Sequence, residues 1–198
     1  RKKIKINYST KNGLAENAIN ALCYQKGEGI YIGTINGLYF LSNGKFTTIH
    51  DFKNREIKSL HLFADILCVC TTNGLFYYNN KNKNTAKQSG LDNGGINCIN
   101  TCPGDSSLLV GTANGFSILK KPGDKPVNFH EENGLIDENI TSLYCENLNN
   151  IWVGSGNGLL NFNGKEFSFY NIHNENNSNH ILCLLKDKEG NLWMGTHN

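Results

Sequence analysis

Short apolar runs alternate with short polar turns along the whole chain, on a period of about 40 residues. Five segments align on one pattern: GTINGL from Gly33, CTTNGL from Cys70, GTANGF from Gly111, GSGNGL from Gly154 and GTHN from Gly195. The steps between their first positions are 37, 41, 43 and 41 residues, so length varies in the loops while the pattern holds. Upstream of each copy lies a pair of aliphatic residues: Ile19 and Leu22, Ile57 and Leu60, Ile96 and Ile99, Ile140 and Leu143, Ile181 and Leu184. A polar turn follows, then an apolar run of four to six residues that ends in the pattern (IYIGT, ILCVCT, LLVGT, IWVGS, LWMGT). Such runs, partly β-branched or aromatic and bounded by turn residues, fit strands and are too short for helices.

The Asn-Gly pairs at Asn36, Asn73, Asn114 and Asn157 predict two-residue hairpins of type I′, whose central residues both need positive φ. A third strand follows each pair, then another turn (Asn-Gly again at Asn43 and Asn163) and a fourth strand such as FTTIH after Lys45 or FSFYN after Glu166. Four antiparallel strands per period with almost no helical signal is the pattern of a propeller blade. A blade is apolar on both faces and is buried only by neighbours stacked around an axis. Ala21, Ser59, Cys98, Ser142 and Cys183, each two residues after a leading Ile, are small, as crowding near that axis requires.

The expected fold is therefore all-β: a β-propeller segment of four complete four-stranded blades plus a partial blade, a fragment of a larger propeller. Residues 13–52, 53–90, 91–130 and 131–172 make the four blades, and 173–198 the partial one. Residues 1–12 supply the outer strand of a preceding blade, or a closure strand in which Lys3 to Tyr8 complete the last blade.

Composition narrows the function classes. A net charge of +2 over 198 residues gives no electrostatic footprint for nucleic acid. No apolar stretch approaches membrane-spanning length, and Arg1-Lys2-Lys3 is not followed by the apolar core of a signal peptide. The abundant asparagines, as in the 79–84 and 174–179 runs, suit exposed turns. Seven cysteines include no Cys-x-x-Cys pair and mostly replace small or aliphatic residues in strands, so buried hydrophobes are the expected role; a cross-blade disulfide involving Cys68 stays open. The six histidines lack ligand spacing, and Asp187 to Asn191 reads as a hairpin turn, not a calcium loop. No metal site, cofactor or catalytic constellation is expected. Tyr31, Trp152 and Trp193, each two residues before the pattern glycine, are expected in the core between blades.

Propellers bind ligands at the mouth of the channel, on loops leading into the innermost strands. Candidate residues there are Asn20, Lys58, Asn97 and Thr141, one position after a leading Ile, with Arg55, Glu138, Asn139 and His180 from the preceding loops.

The segments GLIDENITSLYCENLNNIWVGSGNGLLNF from Gly134 and ILCLLKDKEGNLWMGT from Ile181 resemble the two-component regulator propeller repeat. The resemblance covers nearly the whole chain and is most specific at the Leu-Trp-Met-Gly-Thr and Ile-Trp-Val-Gly-Ser copies. It departs at Cys68, Cys70 and Leu109, which stand where the repeat has an aromatic residue, glycine and an aromatic residue. It implies the periplasmic, extracytoplasmic ligand-sensing region of an inner-membrane sensor, often a hybrid histidine kinase, that responds to glycans or their breakdown products. The implied partners are a small-molecule or oligosaccharide ligand, the remaining blades and kinase of the parent chain, and a second copy in a homodimer; nucleic acid and membrane insertion by this segment are not expected. Streptogramin-lyase propellers have similar blades, so a propeller lyase or hydrolase is an alternative, as is a protein-interaction scaffold.

Overall fold

The computed structural model describes residues 8–14, 16–91, 95–104, 106–170 and 179–197. Alternating strands and turns fold into five successive antiparallel sheets. The first comprises β1 (Ile19–Gln25), β2 (Gly29–Thr34), β3 (Gly37–Ser42) and β4 (Lys45–Ile49), and the second β5 (Ile57–Phe63), β6 (Ile66–Thr71), β7 (Gly74–Asn79) and β8 (Asn84–Lys87). The third holds β9 (Ile96–Thr101), β10 (Leu108–Thr112), β11 (Gly115–Leu119) and β12 (Val127–Phe129). The fourth holds β13 (Ile140–Asn147), β14 (Asn150–Ser155), β15 (Leu159–Phe162) and β16 (Phe167–Tyr170). The fifth is a two-stranded sheet, β17 (Ile181–Lys186) with β18 (Leu192–Thr196). Each sheet is a meander in sequence order, and the first strands β1, β5, β9, β13 and β17 pack against one another in turn. This is a propeller of four complete blades and a partial one.

The period-2 alternation of each second strand divides its side chains between two neighbours. In β6, Leu67 and Val69 join Tyr31, Leu38, Ile49 and Phe52 in the layer between the first and second blades. Cys68 and Cys70 turn the other way, to Leu108, Val110 and Ile96. In β10, Leu109 faces Ile151 and Val153 across the next junction.

The repeated glycine has a steric cause. In each first pair of strands it lies opposite the small residue two positions after the leading Ile: Ala21 with Gly33, Cys98 with Gly111, Ser142 with Gly154, Cys183 with Gly195. A Cβ on Gly111 would stand 2.5 Å from Cys98 Sγ and 2.6 Å from Ile140 Cγ2 of the next blade. Gly33 and Gly154 meet Ile57 and Ile181 in the same way. Blades approach one another over this backbone, and a side chain there blocks the approach. The second blade has Cys70 opposite Ser59 instead, its side chain buried with Ile96, Leu108 and Val110 of the third blade.

The hairpin turns differ from the expected type. At Asn36, Asn73, Asn114 and Asn157 only the glycine has positive φ; both residues are positive at Asn43 and Gly44. The hydroxyl before each turn sets its shape. Thr34 Oγ1 accepts from the Asn36 amide at 3.1 Å and donates to the Gly37 carbonyl at 3.1 Å. Thr71, Thr112 and Ser155 make the same two bonds in their own blades. This side-chain turn is why the pattern carries Thr or Ser after its glycine.

The arc is open. Ile57, Ile96, Ile140 and Ile181 are buried by the preceding blade, whereas Ile19 is 46% exposed, with Leu22 and Tyr24 beside it. At the other end Leu182, Leu185, Trp193 and Met194 are exposed. Trp193 is thus outside the core that Tyr31 occupies, because no blade among the described residues covers that face; Trp152 is half-buried against Tyr170. Tyr8 packs edge-on against Phe46 of the first blade, and residues 3–7 of the expected closure strand lie outside the described residues, as do 174–178 of the second asparagine run.

The cysteines need one correction. Cys68 and Cys70 are fully buried, but Cys102 and Cys145 form a disulfide with Cα atoms 5.0 Å apart, joining the third blade to the fourth. The buried-hydrophobe role fails for these two, which bond across the blade junction, and for Cys183, which is exposed on the fifth blade.

Candidate ligand-binding face

In a four-stranded meander, the loop entering the first strand and the hairpin between second and third strands fall at one end of the blade. All eight candidate residues lie at that end. Asn20, Lys58, Asn97 and Thr141 have a shared cause: each is the extra residue of a β-bulge. The pairing of first and second strands skips from Ile19 to Ala21, from Ile57 to Ser59, from Ile96 to Cys98 and from Ile140 to Ser142. A bulged residue leaves the ladder and its side chain is re-aimed, so a polar residue is tolerated within an otherwise apolar strand.

Three of the four bulge side chains reach the next blade. Asn20 Nδ2 donates to the Ile57 carbonyl at 3.0 Å, and Asn97 Nδ2 to the Ile140 carbonyl at 3.0 Å. The Thr141 hydroxyl contacts the Ile181 carbonyl. Neighbouring blades are separate sheets, so the first carbonyl of each blade has no ladder partner across the junction, and these side chains supply one. Lys58 breaks the series, pairing with Glu56 at 2.7 Å within its own loop.

The loop residues are held individually. Asn139 Oδ1 accepts from Asn97 Nδ2 at 3.1 Å, bringing those two candidates together. Glu138 Oε1 accepts from the Glu131 amide and lies 3.4 Å from His130 Nδ1, while the Glu138 carbonyl accepts from the Gly115 amide at 2.7 Å. The His180 ring lies parallel to His197 with centroids 6.0 Å apart. Arg55 stands away from all of these, its guanidinium 5.0 Å from the Phe76 ring centroid.

Arg55 lines a cleft of about 570 Å³ over the end of the second blade. Thr72, Asn73, Phe76, Lys87, Gln88 and Ile96 are among its other walls. Lys87 was not among the candidates. Its signal was there: opposite the second residue after the hairpin glycine, the outer strands carry Thr48, Lys87, Asn128 and Phe169, of which Lys87 alone is charged. Gln88, buried beneath, accepts from Tyr77 Oη at 2.6 Å and the Gly123 amide, and donates to the Ser89 and Asp124 carbonyls, fixing the floor.

Among the described residues no three His, Cys, Asp or Glu side chains are grouped to hold a metal ion. Burial pushes the Cys68 and Cys98 thiols up to about 12, the thiolate of Cys23 adding to the effect at Cys68, which disfavours nucleophilic chemistry there. Asp187 shapes its own turn: Oδ1 accepts from the Glu189 and Asn191 amides, and Oδ2 from Asn191 Nδ2 and Trp193 Nε1. No helix among the described residues is long and apolar enough to cross a membrane.

Comparison with known proteins agrees with this construction. Residues 176–198 match the family model described as two component regulator propeller. Over 68 residues the chain is 32% identical to histidine kinase P4 of Formosa agariphila, covering 30% of this chain and 5% of that protein. The extracellular domain of a hybrid two-component system from B. thetaiotaomicron superposes with a TM-score of 0.85 at 18% identity, over 96% of this chain and 29% of that one. An ancestral GH74 enzyme shares the fold with a TM-score of 0.71 at 15% identity, over 90% of this chain and 27% of its own. The chain thus spans under a third of each of these proteins. The repeat recurs along the chain, its last copy matches the two component regulator propeller model, and the blades fold as that repeat requires, so the chain is similar to two-component regulator propellers.

Proposed function

We propose that this chain is part of the extracytoplasmic ligand-sensing propeller of a bacterial inner-membrane two-component sensor, and that its ligand is an oligosaccharide or a breakdown product of one. The observation that carries this is the repeat itself, matched at residues 176–198, with the 32% identity over 68 residues to a protein named histidine kinase P4 in its support. The disulfide between Cys102 and Cys145 supports an oxidising compartment, since such bonds persist outside the cytoplasm. Ligand binding on the loop face would alter how blades pack, and the remaining blades, or a second copy, would carry that change to the kinase.

The test is signalling by the full-length protein. Cells carrying it are supplied with a panel of neutral and acidic oligosaccharides, and transcription of the regulated promoter is read. A response to one saccharide class, lost on deleting residues 1–198, supports the proposal; no response to any saccharide contradicts the glycan part of it. The GH74 likeness in fold keeps an enzymatic alternative in view. Turnover of any of these oligosaccharides by the purified protein would favour that alternative.

A further inference from the structure

We infer that the cleft over the second blade is an anion subsite, built to take the carboxylate or sulfate group of an acidic saccharide. Its two charged walls have the same sign. Arg55 Cζ lies 5.0 Å and Lys87 Nζ 5.9 Å from the centroid of the same Phe76 ring. Neither cation forms an ion pair with any described residue, and no Asp or Glu is among the cleft's lining residues. Both cations also line one cleft, where like charges with no neutralising partner disfavour each other. An anion between them removes that repulsion.

The rest of the same face has the opposite character. At the junction of the third and fourth blades the entering loop carries Asp137 and Glu138, with Glu131 and Glu132 on the turn before it. The bulge side chains Asn20, Asn97 and Thr141 are spent on holding blades together. The second blade alone leaves its loop side chains unengaged by the next blade, since Lys58 pairs with Glu56. The same blade has Cys70 where the others have glycine, and the cleft lies beside its junction with the third blade, reaching Leu91 and Ile96.

The chemistry of the walls fits a saccharide that carries charge. The guanidinium offers a planar fork for a carboxylate or sulfate, and Lys87 adds a second charge. The side chains of Thr72 and Asn73, both exposed at the rim, supply neutral donors and acceptors for hydroxyl groups, while the half-buried Leu91 gives apolar wall for a ring face. The subsite deepens the sensor proposal and rests on it for the saccharide, though not for the anion.

Binding to the full-length protein in detergent tests this by calorimetry, with four probes: oligogalacturonate, a sulfated chondroitin disaccharide, a neutral xylo-oligosaccharide, and inorganic sulfate. One acidic saccharide is expected to bind, more weakly as salt rises. Arg55→Ala and Lys87→Ala should each weaken it about 10-fold to 100-fold, the loss of one hydrogen bond to a charged group, with Arg55→Lys recovering part. The disulfide and unfolding midpoint of each variant should stay as in the parent. Binding of the neutral probe alone, unmoved by either substitution, overturns the subsite and leaves the sensor proposal standing. Sulfate binding that depends on both residues, with no saccharide bound, keeps the subsite and removes the saccharide. Failure of every anionic probe to bind overturns the inference.

Discussion

Replacing Gly111 by alanine puts a single methyl group where two blades meet. The new Cβ would stand 2.5 Å from Cys98 Sγ and 2.6 Å from Ile140 Cγ2, against about 3.5–4.0 Å for ordinary contact. Roughly 1 Å of movement is therefore needed on two sides at once. Ile140 is fully buried among Leu109, Val153 and Leu160 and has nowhere to go. Overpacking of this kind costs about 1–3 kcal/mol, and the stiffer unfolded chain returns about 0.5–1 kcal/mol. The net loss, between zero and about 2.5 kcal/mol, lowers the melting temperature by up to roughly 10 °C in a domain of this size. Gly95→Ala is the control, because a Cβ there meets nothing within 4 Å and its φ is not positive. It should leave the melting temperature unchanged or slightly higher. Adding Cys98→Ala to Gly111→Ala removes one obstruction and leaves Ile140, so recovery should be partial. If Gly111→Ala melts with Gly95→Ala, the steric account of the repeated glycine is wrong.

Reducing the Cys102–Cys145 bond, or replacing both residues by alanine, frees a loop of 43 residues and should cost about 4 kcal/mol; a disulfide-linked peptide by mass spectrometry and a guanidinium midpoint that falls with reductant check it. Asp187, held at about 2 against an ordinary 3.8 by hydrogen bonds from Trp193 and Asn191, favours the folded state above about pH 4 and loses that contribution as pH falls through 2. The Trp193 indole N–H resonance should titrate with a midpoint near 2, and Asp187→Asn should abolish the step. Ser142 Oγ is buried without a hydrogen-bond partner, so Ser142→Ala, the residue the first blade has at Ala21, should be neutral or raise stability by up to about 1 kcal/mol; a clear loss in the unfolding midpoint would contradict this.

Repetition made the blades legible. Leading Ile, small residue, glycine and Asn-Gly recur in register, and each recurrence reports the same packing problem solved again. The turn type was misread because Asn-Gly alone favours type I′, while the hydroxyl of Thr34 and its equivalents competes for the same amide and carbonyl. The disulfide left a trace that spacing rules for metal sites do not detect. Cys102 and Cys145 are 43 residues apart, one short of the 44-residue step from Ile96 to Ile140 on the strands beside them, so they fall at neighbouring heights on adjacent blades. At the loop face, polarity one residue after each leading Ile was visible, but its cause was a bulge, which single-strand patterns do not reveal. Lys87 went unnoticed because it lies on an outer strand, far along the chain from Arg55, and only the fold brings both to Phe76.

The exposed faces of the first and fifth blades suit further blades on either side, Ile19, Leu22 and Tyr24 at one end and Leu185, Trp193 and Met194 at the other. Under the function proposed above, a ligand outside the membrane is coupled to a kinase beyond it. The direct measurement is autophosphorylation of the full-length protein in nanodiscs, with and without the saccharide that binds its propeller. The account predicts a ligand-dependent change in phosphorylation rate that is reduced by Arg55→Ala. Phosphorylation unaffected by any bound saccharide, or turnover of the saccharide in its place, would contradict it.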